Sequence, residues 1–290
     1  MIDGWASRDI DVNGHTLHYL RTGGSGKTPL VLVHGFSDSG ATWARVAREF
    51  EADFDIVMPD MIGHGRSSRF AGGASPDMPA DLRLLVERLA LERPVICGHS
   101  MGAMVSYQAC TRFPELARAL FLEDPPWFPS PESGIKPPDQ WVGSGAASEN
   151  PVAKWAKTLA GKSMGELLAD CRRDNPSWPD ELARVMCEAK IRLDQGIIDT
   201  LAGLLESAGS SWEATIASVS VPFEIVTGNS ERGGIVTPSL IERIRALNPR
   251  VTVKTFPDVG HLIRFDAHDG FVAELREFLK PFGAADSRRG

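Results

Sequence analysis

The sequence predicts an α/β fold: a mostly parallel central sheet flanked by helices, with a helical segment inserted late in the chain. Three observations carry that reading. Short continuous apolar runs, such as Pro29–Val33, Phe54–Met58 and Pro94–Cys97, alternate with stretches of helical spacing. Such runs mark strands buried on both faces of a parallel sheet. The alternation stops at Pro125 and resumes near Ser220. Third, the run Pro94–Cys97 ends in Gly98-His99-Ser100-Met101-Gly102 and is followed at once by a helical stretch, Ala103–Arg112. Strand, sharp turn and helix in that order form the context that gives Gly-x-Ser-x-Gly its meaning. Ser100 is then pushed out with its hydroxyl exposed, beside the free N–H groups of a helix start.

Composition narrows the function. A chain of 290 residues with 42% hydrophobic content can build one large α/β domain with an insertion. A net charge of −7 argues against nucleic acid or an anionic membrane as partner. Met1–Asp11 is polar, so no signal peptide is expected, and no apolar run is long enough for a transmembrane helix. The four cysteines, Cys97, Cys110, Cys171 and Cys187, show neither CxxC nor zinc spacing. They read as reduced, buried thiols of a cytoplasmic protein.

Taken in order, Ile10–Asn13 and His15–Leu20 flank Asn13-Gly14, a strong hairpin signal. Gly23–Thr28 imitates a phosphate-binding loop, but Arg21 stands where Gly is needed and a strand follows where a helix should. Helical spacing covers Ala41–Phe50 and Met78–Leu91. Ala117–Glu123 reads as a strand ending at Asp124-Pro125-Pro126. The insertion opens with a Pro- and Gly-rich stretch, Trp127–Asn150. Helices are expected near Val152–Ala160, Met164–Arg172, Asp180–Lys190 and Ile197–Ser207. It holds Trp127, Trp141, Trp155, Trp178 and Trp212, five of the seven tryptophans. Long insertions are more often functional than idle. The sheet resumes with Val221–Thr227, a helix at Pro238–Leu247, a strand at Val251–Phe256 and a closing helix at Phe271–Leu279.

His34-Gly35-Phe36, Asp60 through Gly65, Gly98 through Gly102 and Gly260-His261, in this order, resemble the α/β-hydrolase fold superfamily. The likeness is to its serine-nucleophile esterases and lactonases with a helical cap, zearalenone-type lactonases among them. It spans about residues 28–280 except the insertion. It implies a core of residues 1–125 and 216–290 carrying a cap of residues 126–215.

A serine hydroxyl needs a base within reach, and His261 lies where the family places it. Phe36 and Met101 are the positions whose backbone N–H groups would form the oxyanion hole. The family's usual acid position falls at Glu231, within Gly228-Asn229-Ser230-Glu231. Some relatives place the acid one strand earlier, 24 residues after the nucleophile, which is Asp124. Asp124 is favoured: it directly follows a strand, whereas Glu231 sits in a Gly-rich loop with a longer side chain to immobilise. Glu123 should point to the opposite face. His34 and His99 read as packing or turn residues beside the site, and His15, His18 and His268 are expected at the surface.

The expected function is hydrolysis of an ester or lactone of a mainly apolar small molecule, with Trp127 in contact with substrate. A C–C bond hydrolase and a ligand receptor on the same fold are the alternatives. The sequence shows no metal cluster and no cofactor fingerprint, so the one partner expected is the small-molecule substrate.

Overall fold

The structure, a computed structural model, describes residues 4–24, 26–70, 76–127, 158, 159 and 161–283, with backbone alone for 201–211. Eight strands form one sheet: β1 (Ala6–Val12), β2 (His15–Arg21), β3 (Thr28–Val33), β4 (Phe54–Pro59), β5 (Val95–His99), β6 (Ala119–Glu123), β7 (Phe223–Gly228) and β8 (Val251–Phe256). Their spatial order is β1-β2-β4-β3-β5-β6-β7-β8. β2 runs antiparallel to β1 and β4, and every pairing from β4 to β8 is parallel. β4, β5, β6 and β7 are buried at every position, which is why they read as mainly apolar runs. β8, at the sheet edge, buries only Val251.

Helices cover both faces. On one side, α1 (Ala44–Phe50) and α9 (His268–Leu279) bury Phe50, Phe271 and Leu275 with Trp43 and Phe121. On the other, α2 (Met78–Arg88), α3 (Met101–Arg112) and α7 (Pro238–Leu247) bury Leu82, Leu85, Met104 and Ile244. A single turn, α8 (Ile263–Asp266), links the end of β8 to α9.

The insertion between β6 and β7 contains α4 (Met164–Asp174), α5 (Asp180–Arg192) and α6 (Gln195–Ser218). Ser163 and Glu166 close a capping box at the start of α4. α6 runs 24 residues, well past the expected end at Ser207. Gly203 and the Ala208–Ser211 stretch look like a stop, since a helical Gly costs about 1 kcal/mol. Beyond them Trp212 and Ile216, one turn apart, are buried, and that burial carries the helix on. Most of the expected helix at Val152–Ala160 lies outside the described residues, as do Trp141 and Trp155.

Several hydrogen bonds tie the insertion to the rest of the chain, some of them at the strand ends. The Asp194 N–H donates to the Gly63 carbonyl at 2.9 Å, and its carboxylate accepts from the Phe70 N–H at 3.0 Å. The Trp178 indole donates to Asp266 at 2.7 Å. No described helix is long and apolar enough to cross a membrane. All four cysteines are buried and free of disulfides.

Two histidines expected at the surface are buried instead. His18 lies on β2, which is interior to the sheet because β4 pairs with the edge that the hairpin alone would leave free. Its ring spans Asp60 (3.1 Å) and the Ser7 hydroxyl (2.8 Å). His268 is buried at the start of α9, with Nδ1 3.2 Å from the Arg264 carbonyl. His15 is half-buried and meets Asp81 at 3.0 Å.

The sheet–helix spacing at the strand ends depends on missing side chains. A Cβ on Gly102 would sit 2.3 Å from the Val33 carbonyl oxygen, and one on Gly98 would sit 2.5 Å from that of Gly102. These are backbone atoms that cannot swing aside. Gly102→Ala is therefore expected to cost about 1–3 kcal/mol by denaturant unfolding. A loss below about 0.5 kcal/mol would show that the packing is looser than described.

Candidate active site

β5 ends at His99, and α3 begins at Met101, so the chain must reverse within one residue. That residue is Ser100, with φ 51° and ψ −116°. A non-glycine in this region is strained. Main-chain bonds hold it: the Ser100 N–H donates to the Glu123 carbonyl at 2.9 Å, and the Ser100 carbonyl accepts from Met104 at 3.0 Å. Its side chain is partly exposed at the helix N-terminus, where the first-turn N–H groups, Met101's among them, lack intrahelical partners.

Asp124 follows β6 and is also left-handed, with φ 41°, a conformation Asp tolerates better than most residues. It is fully buried and surrounded by donors. Oδ1 accepts from the Thr227 hydroxyl (2.9 Å) and the Val236 N–H (3.3 Å). Oδ2 accepts from the Ile235 N–H (2.8 Å) and lies 2.6 Å from His261 Nδ1. An Nδ1–H pointing at this carboxylate leaves Nε2 as the ring's other, basic nitrogen. His261 stands above β5, with its ring centroid 4.6 Å from that of His99.

Of the two candidate acids, Asp124 is therefore the one that meets His261. Glu231 is exposed on a short 3₁₀ turn. Gly233, at φ 101°, then reverses the chain so that the N–H groups of Ile235 and Val236 face Asp124. Glu123 points to the other face, as expected from strand alternation, and meets Arg264.

The Phe36 loop is anchored by buried histidines. His34 Nε2 accepts from the Met61 N–H at 2.9 Å, so its proton sits on Nδ1, 2.7 Å from the Gly35 carbonyl. The Asp38 N–H donates to the same carbonyl at 3.2 Å. Across a planar trans peptide, the Phe36 N–H must then point away from these two donors. The carbonyl of Phe36 lies 2.6 Å from His64 Nε2. Trp127 is wholly buried, stacked on Trp212 (centroids 5.8 Å apart) and tilted against Tyr107 (5.4 Å).

The sequence reading missed the buried polar groups behind this edge: Asp38 and Arg264, and the donors Thr227, Ile235 and Val236. Arg264 had a signal, a lone charge inside the apolar run Leu262–Phe265. The backbone donors had none.

Fold and site together define a hydrolytic enzyme built at the carboxyl edge of a parallel sheet. A model of the alpha/beta hydrolase family matches residues 30–274. N-formylmaleamate deformylase of Pseudomonas putida is 27% identical over 282 residues, 94% of this chain and 96% of that protein. Lipase 1 of Psychrobacter immobilis is 24% identical over 276 residues, 92% of this chain and 81% of that one. The crystal structure of N-formylmaleamic acid deformylase from Pseudomonas putida S16 shares the fold with a TM-score of 0.75 at 24% identity, covering 93% of this chain and all of that one. The chain belongs to the alpha/beta hydrolase family.

Burial holds the histidines behind the site in the neutral form. It lowers the pKa of His34 and of His99, and together with neighbouring His34 it takes His64 down to about 4. An unfolded chain takes up these protons first, near pH 6.5. Stability is then intact above about pH 6.5 and is lost as pH falls toward 4. Glu224, buried and pushed up to about 7, acts in the opposite sense between its unfolded value and pH 7. Denaturant midpoints should fall from pH 7 to pH 5, and more steeply in Glu224→Gln. A flat profile in that variant would contradict the neutral buried histidines.

Proposed function

We propose that this enzyme is a serine hydrolase that cleaves a carboxylic ester or lactone of a mainly apolar small molecule through an acyl-enzyme. The observation that carries the reading is the 2.6 Å contact between His261 Nδ1 and Asp124, at the strand edge that also carries Ser100. In this reading Ser100 Oγ attacks the substrate carbonyl while His261 Nε2 takes its proton. Asp124 stabilises the resulting imidazolium and holds the ring in place. The carbonyl oxygen becomes an oxyanion, met by the N–H groups of Phe36 and Met101. Collapse expels the alkoxide, which leaves with the proton from His261. Water, deprotonated by the same ring, then attacks the acyl carbon and releases the acid and free Ser100.

Residues 126–215 act as a cap over this edge and choose the substrate, on a core formed by 1–125 and 216–290. The Trp178–Asp266 and Asp194–Phe70 bonds support that role, because both join the insertion to loops at the strand ends. Trp127, three residues past Asp124, is buried in a stack with Trp212 and Tyr107 and acts on the substrate through the packing of that apolar layer. The near full-length match to a protein named N-formylmaleamate deformylase favours a second reading, in which the acyl group is a formyl group on nitrogen rather than an ester.

A hydrolysis screen over p-nitrophenyl esters, lactones, N-formyl amides and ring-fission diketones tests these readings. Ser100→Ala is expected to cut kcat by about 10⁴-fold or more. Asp124→Asn should cost about 10⁴-fold, and Glu231→Gln only a few-fold. Organophosphate labelling of another residue, or the reverse ranking of the two acids, would overturn the assignment. No turnover anywhere in the screen would leave a receptor. Trp127→Phe and Trp212→Phe should change the ranking of substrates more than the rate on p-nitrophenyl acetate, and an equal loss on all substrates would remove the cap from specificity.

A further inference from the structure

Behind the catalytic edge lies a second buried cluster whose members are sequence neighbours of the proposed site residues. Arg264, with no exposed surface, is its centre. Its guanidinium donates to Glu123 Oε2 at 2.9 Å and to Asp38 Oδ2 at 2.6 Å, and its backbone N–H donates to Glu123 Oε1 at 2.8 Å. Its Cζ lies 4.4 Å from the centroid of the Trp43 ring and 4.0 Å from that of Phe265. His99 completes the group: Nδ1 is 3.6 Å from Asp38 Oδ2, and Nε2 is 3.2 Å from the His261 carbonyl. Burial alone would raise the Asp38 pKa, but His99 and Arg264 outweigh it and hold the carboxyl well below the usual range.

The pairing with the site is one to one. His99 precedes Ser100, and Glu123 precedes Asp124. Successive strand residues face opposite sides, so each pair sends one side chain to the site and one to the cluster. Asp38 lies two residues after Phe36, and Arg264 three after His261. Four segments that are distant in sequence are thus joined one to three residues from each proposed reacting group. A buried ion cluster of this kind adds little net stability over apolar packing of the same volume. What it fixes is geometry, because a planar fork meets two carboxyl groups only in one arrangement.

We propose that Arg264, Glu123, Asp38 and His99 are positioning residues that set the placement of Ser100, His261 and the Phe36 N–H against one another. The inference rests on the serine-hydrolase reading. Removing Arg264 alone would orphan two buried carboxyl groups and threaten the fold. The test therefore uses the neutral triple variant Asp38→Asn/Glu123→Gln/Arg264→Met, with Arg264→Lys beside it. Lys keeps the charge but loses the fork. The readouts are the thermal midpoint, kcat and KM on p-nitrophenyl acetate, and the rate at which a fluorophosphonate labels Ser100.

Misplacement by about 1 Å can cost about 10²-fold. Each folded variant should lose about that much in kcat and in labelling rate, with KM within about threefold of wild type. A merely structural cluster would move the thermal midpoint and leave labelling unchanged. Labelling and kcat within twofold of wild type in either folded variant overturns the proposal. Wild-type enzyme that is not labelled at Ser100 overturns the nucleophile assignment itself, and the positioning claim with it.

Discussion

The level ends of β5, β6 and β7 are the constraint on which the candidate site depends. His99 pairs with Glu123, and Glu123 with Val226. Main-chain bonds continue sideways past the strands, from the Ser100 N–H to Glu123 and from the Asp124 N–H to Val226. A slip of one residue would send His99 and Glu123 into the site and turn Ser100 and Asp124 toward the Arg264 cluster on the opposite face. All three strands are buried along their whole length, which makes such a slip costly at every position. The register of the hydrophobic core therefore decides which side chains reach the candidate site.

Holding the site also means holding strain. Ser100 and Asp124 both have positive φ, a conformation that costs on the order of 1–3 kcal/mol per residue. At Ser100 the crowded contact between β5 and α3 through Gly98 and Gly102 leaves the chain no other path. At Asp124 the offset comes from four hydrogen bonds to one buried carboxylate. Rigid backbone on both sides lets two short side chains reach fixed points without long, entropically costly linkers.

Features that depend on local pattern were legible in the sequence. The helix at Pro238–Leu247 and the strand at Val251–Phe256 match their expected bounds, because Thr237 and Pro238 start the helix and Asn248 ends it. Buried strands announced themselves as apolar runs, and the Gly-x-Ser-x-Gly turn fell between strand and helix. Other features depend on residues far apart in the chain. Asp124 meets His261 across 137 positions, and no periodicity encodes that. His18 looked exposed because a hairpin read alone has two free edges, whereas β4 closes one of them. α6 outran its expected end because burial of Trp212 and Ile216 outweighs the local cost of small residues.

The contrast between Asp124 and Glu231 shows how a loop can serve a site without lending it a side chain. After β7, Asn229 accepts from the Glu231 N–H at 2.9 Å and folds Ser230–Arg232 into a tight turn, leaving the Glu231 carboxylate facing solvent. Two glycines then bring the chain back, and the next two N–H groups enter the site as donors. With the Thr227 hydroxyl they supply three of Asp124's four hydrogen bonds. β6 thus provides the acceptor and β7 the cradle that orients it. A glutamate reaching in from the β7 loop would have to displace those same N–H groups, leaving buried donors unpaired at about 1–3 kcal/mol each. The Gly-rich loop carries main-chain donors, and main-chain donors require the chain itself to come close.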